Sequence, residues 1–280
     1  MNQNYTFQTD SEIVKKVYRE QSNYLIEFNE KGDRKWCAIY FCSNDIYYPN
    51  TEDIFYKKII EKNYYEWYHL RIKRAYKHIF IRDIFKQWYL AGINITTNTP
   101  EKLIQILQKE TKDYNVITLG SSAGGYAAIL YGSFINTKYT LAFNPQFELQ
   151  SLIKRSSPQK NPLLFNINDK RIKFFDITNF ISSNIDIFYF YSNASSWDID
   201  QCNYIKGYTN IHKIEFNTKH HGIPFLKVAL SKTINLDIKK LKSLSLKTYS
   251  PIIYTIQMVG VKETLKGLYQ QLIKFVKKKI

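Results

Sequence analysis

Cysteine is scarce in this chain: Cys37, Cys42 and Cys202 are odd in number and lack the paired spacing of a zinc or redox site. That excludes a disulfide scaffold and predicts free thiols in a reducing compartment. Long apolar runs are missing too, and none reaches the ~20 residues that a membrane-crossing helix needs. The first residues, Met1-Asn2-Gln3-Asn4-Tyr5, carry neither the basic head nor the apolar stretch of a secretory signal, so a cytoplasmic location is expected. No internal repeat or low-complexity tract occurs. Acidic residues are few, 24 against 40 lysines and arginines, and the net charge is +16. Three polyanions suit that charge: an anionic polysaccharide, the phosphates of coenzyme A, or an acidic membrane surface. An equal claim belongs to composition alone, because abundant Lys, Asn, Ile and Tyr are what an AT-rich genome encodes. Nucleic acid is not expected, since no finger, helix-turn-helix or RNA-binding aromatic signature is present.

Of what is there, 44% hydrophobic residues argue against disorder, and 280 residues suffice for one α/β domain. Only 10 glycines occur, and three of them fall in Gly120-Ser121-Ser122-Ala123-Gly124-Gly125. This segment lies between the apolar run Val116 to Leu119 and a small-residue helical stretch from Tyr126 to Ile135. It reads as a nucleophile elbow, in which a strained strand-to-helix turn exposes Ser122 and the flanking glycines admit close backbone approach.

A serine nucleophile needs an imidazole to take its proton and a carboxylate to orient that imidazole. Both follow in sequence. After the β-prone run Ile185 to Tyr191 come Asp198, the preferred acid, and Asp200, the alternate. After the strand-like His212 to Asn217 come His220 and His221. His221 is preferred because Gly222 frees the loop to turn the ring toward the elbow. The paired histidines have no acidic or cysteine neighbours in sequence, so no metal site is expected. His69, His78 and His212 are assigned surface or packing roles. Backbone donors for a developing oxyanion are expected at Ala123 and at Ser43 or its neighbours, beyond the strand Trp36 to Phe41.

Organisation along the chain alternates strands and helices. Two or three strands are predicted from Tyr24 to Asp45, with a turn at Glu30 to Asp33 joining the first pair. A helix is predicted over Asp53 to Lys77, a strand over His78 to Ile81, and a helix from Asp83 to Leu90 ending at Gly92. Pro100 to Lys109 is predicted as an amphipathic helix. Tyr64, Tyr65, Trp67 and Tyr68 are expected to pack on the core. This alternation implies a mostly parallel sheet with helices on both faces.

The elbow, Asp198-Ile199-Asp200-Gln201 and His221-Gly222, in that order, resemble the α/β-hydrolase superfamily over roughly Trp36 to Phe225. Phe80-Ile81-Arg82-Asp83, Trp88-Tyr89-Leu90-Ala91-Gly92, Gly120 to Gly132 and Phe143-Asn144-Pro145-Gln146 resemble its bacterial enzymes of capsule and surface-polysaccharide biosynthesis, including serine-dependent O-acetyltransferases. The resemblance implies an α/β-hydrolase-like catalytic domain over 1–245 with a cap insertion at about 146–184. Basic residues Lys154, Arg155, Lys160, Lys170, Arg171 and Lys173 would face an anionic substrate there, or simply be solvated. It implies transfer of an acetyl group from acetyl-CoA to a polysaccharide hydroxyl through an acetyl-serine, with no resident cofactor. Two other readings stay open: a serine esterase or deacetylase using water, and a non-catalytic glycan- or partner-binding member of the fold. Residues 246–280 read as a basic amphipathic extension. Leu265, Leu268, Tyr269, Leu272, Ile273 and Val276 recur at helical spacing beside Lys262, Lys266, Lys274 and Lys277 to Lys279. Either it makes a peripheral membrane contact or it packs on the domain.

Overall fold

In the computed structural model, which describes residues 5–135, 137–166 and 170–279, eight strands form one open sheet. They are β1 (Tyr24–Phe28), β2 (Asp33–Phe41), β3 (Ala75–Ile81), β4 (Asn115–Ser121), β5 (Tyr139–Phe143), β6 (Asp186–Ser192), β7 (Ile211–Phe216) and β8 (Thr248–Tyr249). Their order is β1-β3-β2-β4-β5-β6-β7-β8, and only β1 runs antiparallel to its neighbour. The turn after β1 leads to β2 as expected, yet the two strands are not paired. β3 lies between them and takes hydrogen bonds from both, so they do not form the hairpin that the turn alone suggests.

The helices are α1 (Phe7–Asp10), α2 (Glu12–Glu20), α3 (Glu52–Phe55), α4 (Pro100–Thr111), α5 (Ala123–Phe134), α6 (Gln150–Ile153), α7 (Ser196–Tyr204), α8 (Leu230–Thr233), α9 (Ile238–Leu244) and α10 (Pro251–Lys279). α4 starts where Thr99 accepts the Lys102 N–H and Pro100 occupies the first turn. Successive strand residues point to opposite faces, so each apolar run serves two cores. Ile187 and Tyr189 pack with Leu103 of α4 and Tyr126 of α5, whereas Phe188 and Phe190 pack with Val17 of α2, Leu241 of α9 and Tyr254 of α10. The architecture is α/β-hydrolase-like, with helices on both faces of a mostly parallel sheet.

One predicted helix is cut short and another is absent. Over 53–77, helix persists only through α3 and a wide π-type turn, Tyr56–Glu61, before irregular chain resumes. Tyr65 and Trp67 in that chain are buried, and the Trp67 indole donates to the Phe41 carbonyl at 2.9 Å. Packing and side-chain bonding replace helical hydrogen bonds there. From Asp83 to Leu90 the chain forms successive turns. The buried Asp83 carboxylate accepts backbone N–H groups of Phe85, Lys86, Gln87 and Tyr89 at 2.7–3.0 Å. Lys86, Trp88 and Tyr89 adopt positive φ of 57°, 53° and 58°. A short acidic side chain has taken the donors that a helix would have used. Burial pushes the Asp83 carboxyl up to about 6 against the pull of those bonds.

The insertion before β6 is short helical turns rather than a long helix: α6, then 3-10 turns at Pro162–Phe165, Lys170–Phe174 and Thr178–Phe180. Leu152, Leu164, Phe174 and Phe175 sink into the core beside α5. The N-terminal segment ties it down through Thr6 to the Gln159 carbonyl and Gln8 to the Lys160 carbonyl. Two of its cations pair with acids, Arg155 with Asp200 at 2.6 Å and Lys173 with Glu101 at 2.7 Å.

Candidate active site

β4 ends in the elbow and α5 begins at Ala123. Ser122 has φ 52° and ψ −121°, a conformation that costs a non-glycine residue about 1–3 kcal/mol. Close backbone approach explains the glycines. A Cβ on Gly120 would lie 2.0 Å from the Gly124 carbonyl, and one on Gly124 would lie 2.3 Å from the Phe41 carbonyl. The second contact sets the loop beyond β2 against the start of α5.

The structure brings three predicted residues together from three strand ends. Ser122 Oγ lies 2.9 Å from His221 Nε2, and His221 Nδ1 lies 2.8 Å from Asp198 Oδ1. Asp198 sits in the first turn of α7 beyond β6 and is buried, whereas His221 follows β7. Gly222, at φ 103°, supplies the left-handed turn beside it. The alternates take neither of these contacts. Asp200 points to the Arg155 guanidinium on another side of α7, and two helical positions separate it from Asp198 by more than a right angle. His220 lines the same pocket, but His221 takes the Ser122 and Asp198 contacts; burial, then its neighbour His221, holds the His220 imidazole below its ordinary pKa. His78 is buried against the Tyr40 hydroxyl at 2.9 Å, and His212 meets Asp186 at 2.6 Å. Among the described residues, no group of three His, Cys, Asp or Glu side chains is placed to hold a metal ion.

The oxyanion side departs from expectation at one residue. The Ala123 N–H meets no acceptor among the described residues, as an elbow requires. Ser43 differs. Its N–H donates to Glu66 Oε2 at 2.6 Å and its hydroxyl to Glu66 Oε1 at 3.2 Å, so a carboxylate occupies the donor that was expected to face the reaction. Next along the chain, the Asn44 N–H has no acceptor among the described residues and Asn44 lines the same pocket. Glu66 gave no signal in sequence, standing 23 residues from Ser43 inside a stretch that reads as helix. Burial raises its carboxyl above the ordinary value while the bonds from Ser43 pull it back.

A second layer holds the histidine loop. Asn144, at φ 40° beyond β5, donates to the Gly222 carbonyl at 2.9 Å and to Ser192 Oγ at 2.9 Å. Ser192 in turn donates to the His220 carbonyl at 2.6 Å. No spacing rule marks these residues, because the three segments meet only when β5, β6 and the loop after β7 align.

Ser122 and His221 open into a cavity of about 480 Å³, also lined by Asn44, Asp45, Glu66, Lys227 and Gln271. Hydrogen-bonding groups and both signs of charge converge there. The volume lies in the range of small-ligand sites.

No family model matches the chain, and no curated protein matches it. Solved structures do. A Staphylococcus aureus protein of unknown function superposes with TM-score 0.51 at 10% identity, over 79% of this chain and 94% of that one. The capsule O-acetyltransferase of Neisseria meningitidis serogroup A superposes with TM-score 0.47 at 17% identity, over 68% of this chain and 79% of that one. A mutant of that enzyme in complex with CoA superposes with TM-score 0.44 at 17% identity, over 68% and 80%. At 10% identity the likeness to the Staphylococcus aureus protein is one of fold alone.

Proposed function

We propose that this chain is a serine-dependent O-acetyltransferase, moving an acetyl group from acetyl-CoA to a hydroxyl of a surface polysaccharide. The observation that carries the reading is the continuous hydrogen-bonded line Ser122–His221–Asp198, opening from a strained elbow into a polar cavity. His221 Nε2 takes the Ser122 proton as Oγ attacks the thioester carbonyl, and Asp198 stabilises the imidazolium through Nδ1. The thiolate leaves with that proton, and an acetyl-serine remains. An acceptor hydroxyl then gives its proton to His221 and takes the acetyl group as the bond to Ser122 Oγ breaks, and His221 returns the proton to Oγ. Ala123 and Asn44 N–H groups are the oxyanion donors in this scheme.

Asp45 and Glu66 stand beside Lys227 in the cavity, which suits a hydroxyl-rich, neutral part of the acceptor. Anionic groups of the polysaccharide and the phosphates of the donor would then lie outside, against the lysine-rich surface. The CoA complex belongs to the meningococcal enzyme; for this chain acetyl-CoA is part of the proposal, as are a cytoplasmic site and a peripheral membrane contact.

Intact mass after brief incubation with acetyl-CoA tests the reading, with free coenzyme A followed in parallel. An acetyl adduct present in the wild type, absent in Ser122→Ala and cleared faster by an acceptor glycan is expected. No adduct and no coenzyme A release, with hydrolysis of a simple acetyl ester intact, would assign an esterase instead. Every activity surviving in Ser122→Ala would leave a binding role.

A further inference from the structure

α10 presents two different faces. Beyond the break at Gly260 (φ 82°, ψ 167°), Thr264 is buried, Gly267 lies so close to Val228 that a Cβ there would approach its side chain to 2.9 Å, and Gln271 lines the Ser122 cavity. Spaced by three and four residues, these define the inward face. Outward stand Val261 (59% exposed), Leu265 (61%), Tyr269 (65%) and Leu272 (61%), a run of large apolar side chains that nothing among the described residues covers. Isolated exposed leucines need no explanation, but a helical stripe of them marks an interaction surface.

The charges beside this stripe select the partner. Lys262 and Lys266 are exposed next to it, Glu263 is the only acid from Pro251 onward, and Lys274, Lys277, Lys278 and Lys279 follow in the sequence. In the first half of the helix, Gln257 and Met258 share a groove with Lys240, Lys247 and the 80% exposed Leu246. An apolar face bordered by lysines fits the interface of an anionic bilayer, where side chains such as Leu and Tyr enter the acyl boundary and ammonium groups meet headgroups. Two copies joined through this face would instead bring like charges together. No helix among the described residues is long and apolar enough to cross a membrane, so the fit is to a surface.

We infer that the outward stripe of α10 docks on an anionic membrane surface and holds the Ser122 cavity beside it. Pro251 before the break at Gly260 and Gln271 beyond it both line that cavity, so docking of the segment that carries Gln271 fixes the cavity relative to the bilayer. The docking itself is independent of the chemistry. Its consequence, that the acceptor is met at the membrane face, rests on the acyl-transfer reading.

Co-sedimentation of the full chain with vesicles tests it. Vesicles of phosphatidylglycerol and phosphatidylcholine should pellet the protein, pure phosphatidylcholine vesicles much less, and salt should weaken the binding. Leu265→Glu with Leu272→Glu should abolish pelleting, and Lys262→Gln with Lys266→Gln should weaken it by about tenfold or more. Both pairs lie on exposed positions, and an unchanged circular dichroism melt would show that they fold. Hydrolysis of soluble p-nitrophenyl acetate should be unaltered by either pair, and Ser122→Ala should pellet like the wild type. Equal pelleting by wild type and the Leu265/Leu272 variant would overturn the inference. So would a solution dimer that this variant dissociates without any vesicle binding. Vesicle binding without any Ser122 adduct would keep the docking and remove the acyl-transfer reading.

Discussion

The contact between Glu66 and Ser43 is the residue-scale feature with the clearest consequence. In the proposed acyl-transfer scheme the loop beyond β2 supplies the Asn44 N–H, and Glu66 holds that loop by two hydrogen bonds to one serine. Glu66→Ala should lower the rate of ester hydrolysis about 10–100-fold with little change in KM, because a misplaced oxyanion donor weakens only the transition state. Glu66→Gln keeps an acceptor for the Ser43 N–H and should recover most of that loss. Affinity for a boronic acid that forms a tetrahedral adduct on Ser122 should fall in parallel with the rate in Glu66→Ala. An unchanged affinity would show that Glu66 has only a packing role.

At the scale of elements, the start of α5 and the end of β2 are locked by backbone contact. Gly124→Ala would force a Cβ against the Phe41 carbonyl, so the helix or the loop must move. The expected outcome is a destabilisation of about 1–3 kcal/mol in urea unfolding together with loss of Ser122 acylation. Elements also show how far sequence pattern reaches. The apolar strands β4, β6 and β7, the amphipathic helix α4 and the small-residue helix α5 were legible, because each is specified by its own residue pattern. The segments 53–77 and 83–90 were not. Their aromatic and apolar spacing resembles a helix, but Trp67 bonds to β2 and the Asp83 carboxylate collects the backbone donors of its own loop. Those partners come from tertiary burial, which pattern does not report.

For the whole molecule, two buried groups set opposing responses to acid. Burial pushes the His78 imidazole down from 6.5 to about 4, so between those pH values the unfolded chain binds more protons and stability is lost as pH falls. Asp83 runs the other way. With its carboxyl pushed up from 3.8 to about 6, the native state binds more protons in that window, and its contribution is lost as pH rises toward 6. The contributions of these two groups therefore oppose each other between about pH 4 and 6. Asp83→Asn should leave a stability that rises with pH there, and His78→Gln one that falls. Urea midpoints across that range measure both slopes, and parallel profiles for all three proteins would refute the assignment. The sequence by itself determined the α/β alternation, the elbow at Ser122, and the order in which an acid and a histidine follow it, because these are local: period, turn residues and chain order. Tertiary structure alone decided that Asp198 rather than Asp200 meets His221, and that β3 separates β1 from β2. It also decided that Glu66, Asn144 and Ser192 hold the loops around the serine. Such choices depend on which side chains face each other after the sheet closes, and residues brought together from 23 to 99 positions apart leave no mark in spacing.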